Sequence, residues 1–269
     1  MSENIIGDIL KIAISGKGGV GKTFIASTLA RLFEKSNYKV IAVDADPDMN
    51  LACALGIEEE ITPISKREDL IEERTGAKVG EYGSIFKINP KVDDIIDKYS
   101  YKIGNIYLLA MGTIEQGGEG CVCPASVLLR RLLRHLILKR DEVVIMDMEA
   151  GIEHLGRKTT ENVDMMLVVV EPSKKATLTA KRIKKLAEDL GIPRIYAVVN
   201  KVRENINSEK FKEIFEEEVG IPILKFLPYS EDVVYMDLKG KPVDLNSPIG
   251  REMEILFKKI VEVVHGEKI

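Results

Sequence analysis

Short, predominantly apolar runs alternate along the chain with stretches whose apolar positions recur every three or four residues. The runs are Ile9–Ser15, Val40–Asp44, Ile106–Ala110, Val143–Asp147, Met165–Val170, Ile195–Asn200 and Ile223–Leu227. Each predicts a strand buried on both faces, because a strand with one wet face alternates apolar with polar. The intervening stretches predict helices at Phe24–Leu32, Ser126–Leu138, Thr177–Leu190 and Glu209–Val219; in the first, Ile25, Leu29 and Leu32 share a side. Strands alternating with helices imply right-handed βαβ units, hence a three-layer α/β sandwich with a mostly parallel central sheet.

Two segments depart from this rhythm. Residues 58–105 are rich in charge and carry Pro63, Gly76, Gly80, Gly83 and Pro90. They are expected to form an insertion within a single domain spanning 1–269, with a short helix near Ser65–Arg74 and an edge strand at Ile85–Ile88. Near the C-terminus, Met253, Leu256, Phe257, Ile260, Val261 and Val264 fall on one helical face. The opposite face mixes Lys258 and Lys259 with Glu252, Glu254 and Glu262, whereas a membrane-surface helix needs a predominantly basic one. Packing against the core is the expectation.

Composition narrows the function classes. In 269 residues, 39 Lys and Arg face 43 Asp and Glu, so no overall basic footprint for nucleic acid exists. The basic stretch Arg130, Arg131, Arg134, Lys139 and Arg140 reads as a solvated helix face. No run of about 18 apolar residues predicts a membrane span. Residues Met1–Asp8 lack the basic and apolar regions of a secretory signal. Three cysteines make no disulfide framework, and a cytoplasmic location is expected.

Gly16-Lys17-Gly18-Gly19-Val20-Gly21-Lys22-Thr23 satisfies G-x-x-x-x-G-K-[ST] between a predicted strand and a predicted helix. Glycines let backbone N–H groups approach phosphate oxygens without Cβ clashes, and the helix N-terminus adds a positive dipole end. The backbone from Gly16 through Gly18, Gly19, Val20 and Gly21 to Lys22, Thr23 and Phe24 is thus assigned to phosphate binding. Lys22 is expected at the β- and γ-phosphates and the Thr23 hydroxyl on Mg²⁺. Val143–Asp147 ends in the acid expected to hold the same Mg²⁺. The Gly151 step that follows fits a switch whose backbone N–H lies near the γ-phosphate. Carboxylates Asp44, Asp46 and Asp48 follow the second strand, beside the crevice where such sheets bind ligands. These acids have an alternative use in capping the next helix.

The early lysine, Lys17, is not needed for phosphate binding within one chain. The G-K-G-G-V-G-K-T form resembles the deviant Walker A loop of the P-loop family containing the MinD and ParA partition ATPases, nitrogenase iron protein and the tail-anchored-protein targeting ATPase. That resemblance implies an ATP- and Mg²⁺-dependent ATPase whose nucleotides lie between two subunits, with Lys17 reaching the partner's phosphates. It further implies that Asp46 orients the attacking water, that Asp44 supports the Mg²⁺ region, and that Asn200, Lys201 and the Pro228-Tyr229 loop surround the adenine.

Cys121-Val122-Cys123-Pro124 sits on a glycine-rich loop before a predicted helix. A disulfide across one intervening residue is strained, and two thiolates leave a tetrahedral site half built. Cys53 reads as a small core residue. The pair is either incidental or half of a four-thiolate site completed by a second copy, suited to Ni²⁺, Zn²⁺ or an iron–sulfur cluster. His154 reads as structural, with transient metal ligation as its other use.

Together, the phosphate loop, Asp44–Asp48, the Asn89–Asp94 run, Cys121–Pro124 and Asp147–His154 resemble the CooC-type accessory ATPases of nickel carbon monoxide dehydrogenase and acetyl-CoA synthase. This resemblance implies a homodimeric metallochaperone serving a nickel enzyme, without membrane or nucleic-acid partners. A MinD/ParA-like positioning ATPase and an ATP-gated iron–sulfur reductase are the other classes weighed. In nitrogenase iron protein the cluster cysteines lie far apart in sequence, unlike Cys121 and Cys123.

Overall fold

The apolar runs become strands in the computed structural model, which describes residues 10–46, 48–78, 85–112, 124–139, 142–149 and 163–266. They are β1 (Leu10–Gly16), β2 (Val40–Ala45), β3 (Tyr101–Ile103), β4 (Ile106–Ala110), β5 (Val143–Met148), β6 (Met165–Val170), β7 (Ile195–Val202) and β8 (Ile223–Pro228). One sheet holds all eight in the order β3-β4-β2-β5-β1-β6-β7-β8. Every pairing is parallel except β3 with β4.

Among the described residues the helices are α1 (Lys22–Lys35), α2 (Leu51–Leu55), α3 (Glu68–Thr75), α4 (Ile95–Tyr99), α5 (Pro124–Lys139), α6 (Lys174–Asp189), α7 (Ser208–Val219), α8 (Glu231–Leu238) and α9 (Pro248–His265). Strand residues of alternate parity feed two cores. Ile12, Ile14, Val40 and Ala42 pack with residues of α1, α2 and α9 on one face of the sheet. Ala13, Ile41 and Val43 pack with α3 to α7 on the other. Both sides of the central strands are covered, which is why their sequences show no polar alternation. In α9, Met253, Leu256 and Ile260 are fully buried, and the Phe257 ring meets Phe33 of α1 edge-on at 4.8 Å. The core-packing expectation for this helix holds. Among the described residues no helix is long and apolar enough to cross a membrane.

Within 58–105, Ile64, Leu70, Ile71, Ile95 and Ile96 all join the core. A charged brace accompanies them. Asp94 accepts from Arg74 at 2.9 Å and Lys98 at 2.8 Å, and both cations hold its carboxyl well below the usual range. The helix expected near Ser65–Arg74 resolves into a 3₁₀ turn, Ile64–Lys66, followed by α3. The edge strand expected at Ile85–Ile88 is not one. Ile85 is 97% exposed and Ile88 79%, and the edge of β4 is occupied by Tyr101–Ile103 instead. Only Gly104 and Asn105 separate those strands, so the pairing is local and closes at little entropic cost.

Two smaller expectations also change. Cys53 is exposed, not core: α2 has only five residues and buries Leu51, Ala52 and Leu55, leaving the thiol outside. On α5, Arg130 is exposed, but Arg131 and Arg134 are half-buried, with Nε atoms that are shielded and lack a hydrogen-bond partner.

Candidate nucleotide site

The strand ends that face the phosphate loop belong to inner strands of the sheet. β1 delivers the loop, its neighbour β5 delivers Asp147, and β2, beyond β5, delivers Asp44 and Asp46. β7 delivers Asn200 and Lys201 from the other side. This is the crevice at the carboxyl ends of parallel strands where such sheets bind ligands.

The loop is adapted to phosphate by what it lacks. Helices α6, α7 and α9 are each capped by a side chain, from Ser173, Asn207 and Ser247. Helix α1 has no side-chain cap and no acid in its first turn. Its N-terminal N–H groups are left for an anionic ligand, and the helix dipole favours one. Gly16 accommodates a close approach: a Cβ there would stand 2.4 Å from the Val169 carbonyl oxygen of β6. Gly21, at φ 95°, is left-handed, and a Cβ there would stand 2.3 Å from Asn200 Nδ2. Gly21→Ala is therefore expected to weaken ADP binding by at least about tenfold, measured by calorimetry, because the loop must shift at both points.

Lys22 is almost fully buried and pairs with Asp46 at 3.3 Å. Asp46 also accepts from the Asp48 backbone N–H at 3.1 Å. Lys17 differs. Its side chain is exposed, and no carboxylate pairs with it among the described residues. It opens onto a cleft of about 180 Å³ bounded by Gly18, Gly19, Glu171, Ser173 and Lys175.

Thr23 and Asp147 form the second cluster. The Thr23 hydroxyl donates to Asp147 Oδ2 at 2.6 Å. The other oxygen, Oδ1, is buried and has no hydrogen-bond partner. A buried carboxylate oxygen left open beside a hydroxyl is the donor set a hard divalent cation takes, so these residues fit Mg²⁺. Burial pushes the Asp147 carboxyl up to about 6, against the opposing pull of Thr23 and Lys22.

Asp44 is placed differently from an open ligand. Its Oδ2 accepts from the Leu51 N–H at 2.9 Å and its Oδ1 from the Asp46 N–H at 3.3 Å. It thus clasps the loop that carries Asp46 and supplies a remote cap to α2, whose own N-cap residue, Asn50, gives none. Burial, with the Asp147 charge adding to it, pushes Asp44 up to about 7. Ser15 plays a part that sequence reasoning missed. Its buried hydroxyl donates to the Glu149 carbonyl at 3.2 Å, tying down the residue that follows β5. Serine is unremarkable at the end of a strand, so only the fold reveals the contact.

Asn200 is buried and donates through Nδ2 to the Val20 carbonyl at 2.9 Å. Lys201 reaches the Gly19 carbonyl at 2.5 Å. Both β7 residues singled out for the base therefore stand against the phosphate loop, and Pro228 ends the adjacent strand β8. Pro47, Gly151, His154, Cys121 and Cys123 lie outside the described residues. Among the described residues no cluster of His, Cys, Asp and Glu suits a metal held by three or more side chains.

Comparison with known proteins agrees with this geometry. A family model, the CobQ/CobB/MinD/ParA nucleotide binding domain, matches residues 11–243. An uncharacterized ATP-binding protein of Methanocaldococcus jannaschii is 66% identical over 254 residues, covering 94% of this chain and 98% of its own. The carbon monoxide dehydrogenase accessory protein CooC of Rhodospirillum rubrum is 48% identical over 202 residues, covering 74% of this chain and 76% of its own. In three dimensions, MinD in the MinC:MinD cell division complex of Aquifex aeolicus superposes with a TM-score of 0.69. That match has 20% identity and covers 96% of this chain and 97% of the other, a likeness of fold. With its uncapped helix, buried lysine and Thr23–Asp147 pair, the chain belongs to the CobQ/CobB/MinD/ParA nucleotide-binding family and is an ATPase.

Proposed function

We propose that this ATPase is a CooC-type metallochaperone. In this reading ATP draws two copies together, and Lys17 of each reaches the phosphates bound by the other. Cys121 and Cys123 of both copies then supply four thiolates to one Ni²⁺ or Zn²⁺ ion. The ion is cargo, delivered to a nickel enzyme of the carbon monoxide dehydrogenase or acetyl-CoA synthase kind. The observation that carries the reading is the 48% identity to the carbon monoxide dehydrogenase accessory protein, combined with a Cys-x-Cys pair in a glycine-rich stretch of sequence.

The residues have distinct tasks. The α1 N-terminus and Lys22 bind and orient the phosphates. Thr23 and Asp147 hold Mg²⁺, which neutralises phosphate charge when bound. Asp46 pairs with Lys22. Phosphate competes for that lysine and frees the Asp46 carboxylate to accept a hydrogen bond from the attacking water. Asn200 has its amide on Val20, which leaves the acceptor character of Oδ1 to match an exocyclic amine of adenine. Hydrolysis weakens the closed dimer because ADP no longer discriminates between the two states as ATP does.

The test is metal stoichiometry together with solution mass, measured without nucleotide, with ADP and with ATP. One tightly bound Ni²⁺ or Zn²⁺ per dimer is expected, lost in Cys121→Ala/Cys123→Ala. Tight binding that survives in the double variant would overturn the shared site. Visible absorbance and stoichiometric iron after anaerobic purification would favour a cluster instead.

A further inference from the structure

Two consecutive residues at the end of β7 hold two consecutive peptide units of the phosphate loop. Asn200 donates to the carbonyl of Val20, and Lys201 to the carbonyl of Gly19. In a trans peptide the C=O and the N–H point in opposite directions. Tethering these carbonyls to β7 therefore turns the N–H groups of Val20 and Gly21 away from β7, where a phosphate cradle needs donors. Among the described residues the Val20 N–H has only a long 3.4 Å contact with the Lys17 carbonyl.

Lys201 occupies its place in a costly conformation. Its φ of 58° lies in the left-handed region that β-strand lysines avoid. Its ammonium is also directed. Glu171, the residue after β6, holds Lys201 Nζ at 2.9 Å, and the same Nζ reaches Gly19 at 2.5 Å. Strands β6 and β7 are parallel neighbours, so the two side chains project from adjacent strand ends. Glu171 belongs to none of the nucleotide-binding motifs of the sequence.

We propose that Glu171 is a positioning residue for nucleotide binding. Its carboxylate aims Lys201, and Lys201 sets the Gly19–Val20 peptide plane of the phosphate loop. Both side chains are more than two-fifths exposed, so the ion pair alone contributes little to stability. Its effect is on loop geometry, and therefore on affinity. This inference needs only nucleotide binding and stands apart from the metal reading.

A double-mutant cycle in the full chain tests it. ADP affinity in the presence of Mg²⁺ and the melting temperature without nucleotide are measured for Glu171→Gln, Lys201→Met and the double variant. Methionine keeps the apolar stem of Lys201 without its charge. Glu171→Gln is expected to weaken ADP binding about two- to fivefold, the upper part of the range of an exposed pair. In the Lys201→Met background the same change is expected to have no further effect, and Glu171→Asp to recover part of the loss. The nucleotide-free melting temperature is expected to stay within about 2 °C, as for surface substitutions. The proposal is overturned by unchanged affinity in Glu171→Gln, by a loss that persists in full without Lys201, or by a loss matched by lower nucleotide-free stability.

Discussion

Replacing Lys17 by Ala is expected to lower ATP turnover about 10³-fold while changing ADP affinity less than about threefold. The expectation rests on contrast within the loop. Lys22 is buried and paired with Asp46, as a group serving its own chain should be. Lys17 is exposed, and no carboxylate pairs with it among the described residues. A cation that arrives at phosphate only on dimerisation stabilises the transition state without strengthening binding to one subunit. The trans arrangement has its own measurement. With the proposed ATP-driven pairing of two copies, mixing Lys17→Ala with Asp46→Asn subunits is expected to give dimers in which one site has both a functional Asp46 and a lysine from its partner. Steady-state turnover of an equal mixture is then expected to rise toward about a quarter of the wild-type rate, since half the dimers are mixed and each has one working site. A mixture no more active than its components would place Lys17 in cis.

Asp147→Asn is expected to have two effects of opposite sign. Turnover should fall about 10²- to 10³-fold, because the open Oδ1 oxygen no longer offers a charged donor to Mg²⁺. Stability without nucleotide and Mg²⁺ should rise. Asp44 and Asp147 stand opposite each other on β2 and β5, and their carboxyls are pushed up to about 7 and about 6. A raised carboxyl pKa means that the folded chain holds protons that the unfolded chain has released. The associated stability is complete below about pH 4, the unfolded value, and is lost as pH rises through 6 to 7. The melting temperature of the metal-free protein should therefore fall between pH 5 and pH 8. Asp147→Asn removes its share of that fall, stabilising the protein at pH 8 by on the order of 2 kcal/mol. A flat wild-type profile, or a variant that is less stable at pH 8 and still turns over, would contradict the assignment.

The strands were legible because burial on both faces leaves a signature that needs no partner to read. Val143–Asp147 and Met165–Val170 sit within a residue of β5 and β6 for that reason. The phosphate loop was legible because its chemistry is local. Contacts made by folding were not. Asp44 has the same neighbours in sequence whether it faces a metal or clasps Leu51, and only the path of the loop decides. Cys53 was misread because apolar neighbours imply a core position only when a helix is long enough to be covered on more than one side. The misplaced edge strand has a similar cause: Ile85–Ile88 has strand-like residues but no nearby edge, whereas Tyr101–Ile103 is delivered to β4 by a two-residue turn. Ser15 and Glu171 carried no signal, being ordinary residues at strand ends.

The position of β1 in the sheet has a consequence for the order in which the protein comes into being. Leu10 pairs with Val143 and Ile12 with Met165, so the first strand is flanked by strands from the second half of the chain. On the ribosome, the phosphate loop is made before β5 and β6, the strands that flank the one carrying it. Pairings of such separation are slow to form and leave strand edges bare in the meantime. Asp147 meets Thr23 only where β5 lies beside β1, so the complete nucleotide site requires those strands to have paired. A ligand that binds only the closed site stabilises the folded chain by mass action and offers nothing to a chain whose central strands are unpaired.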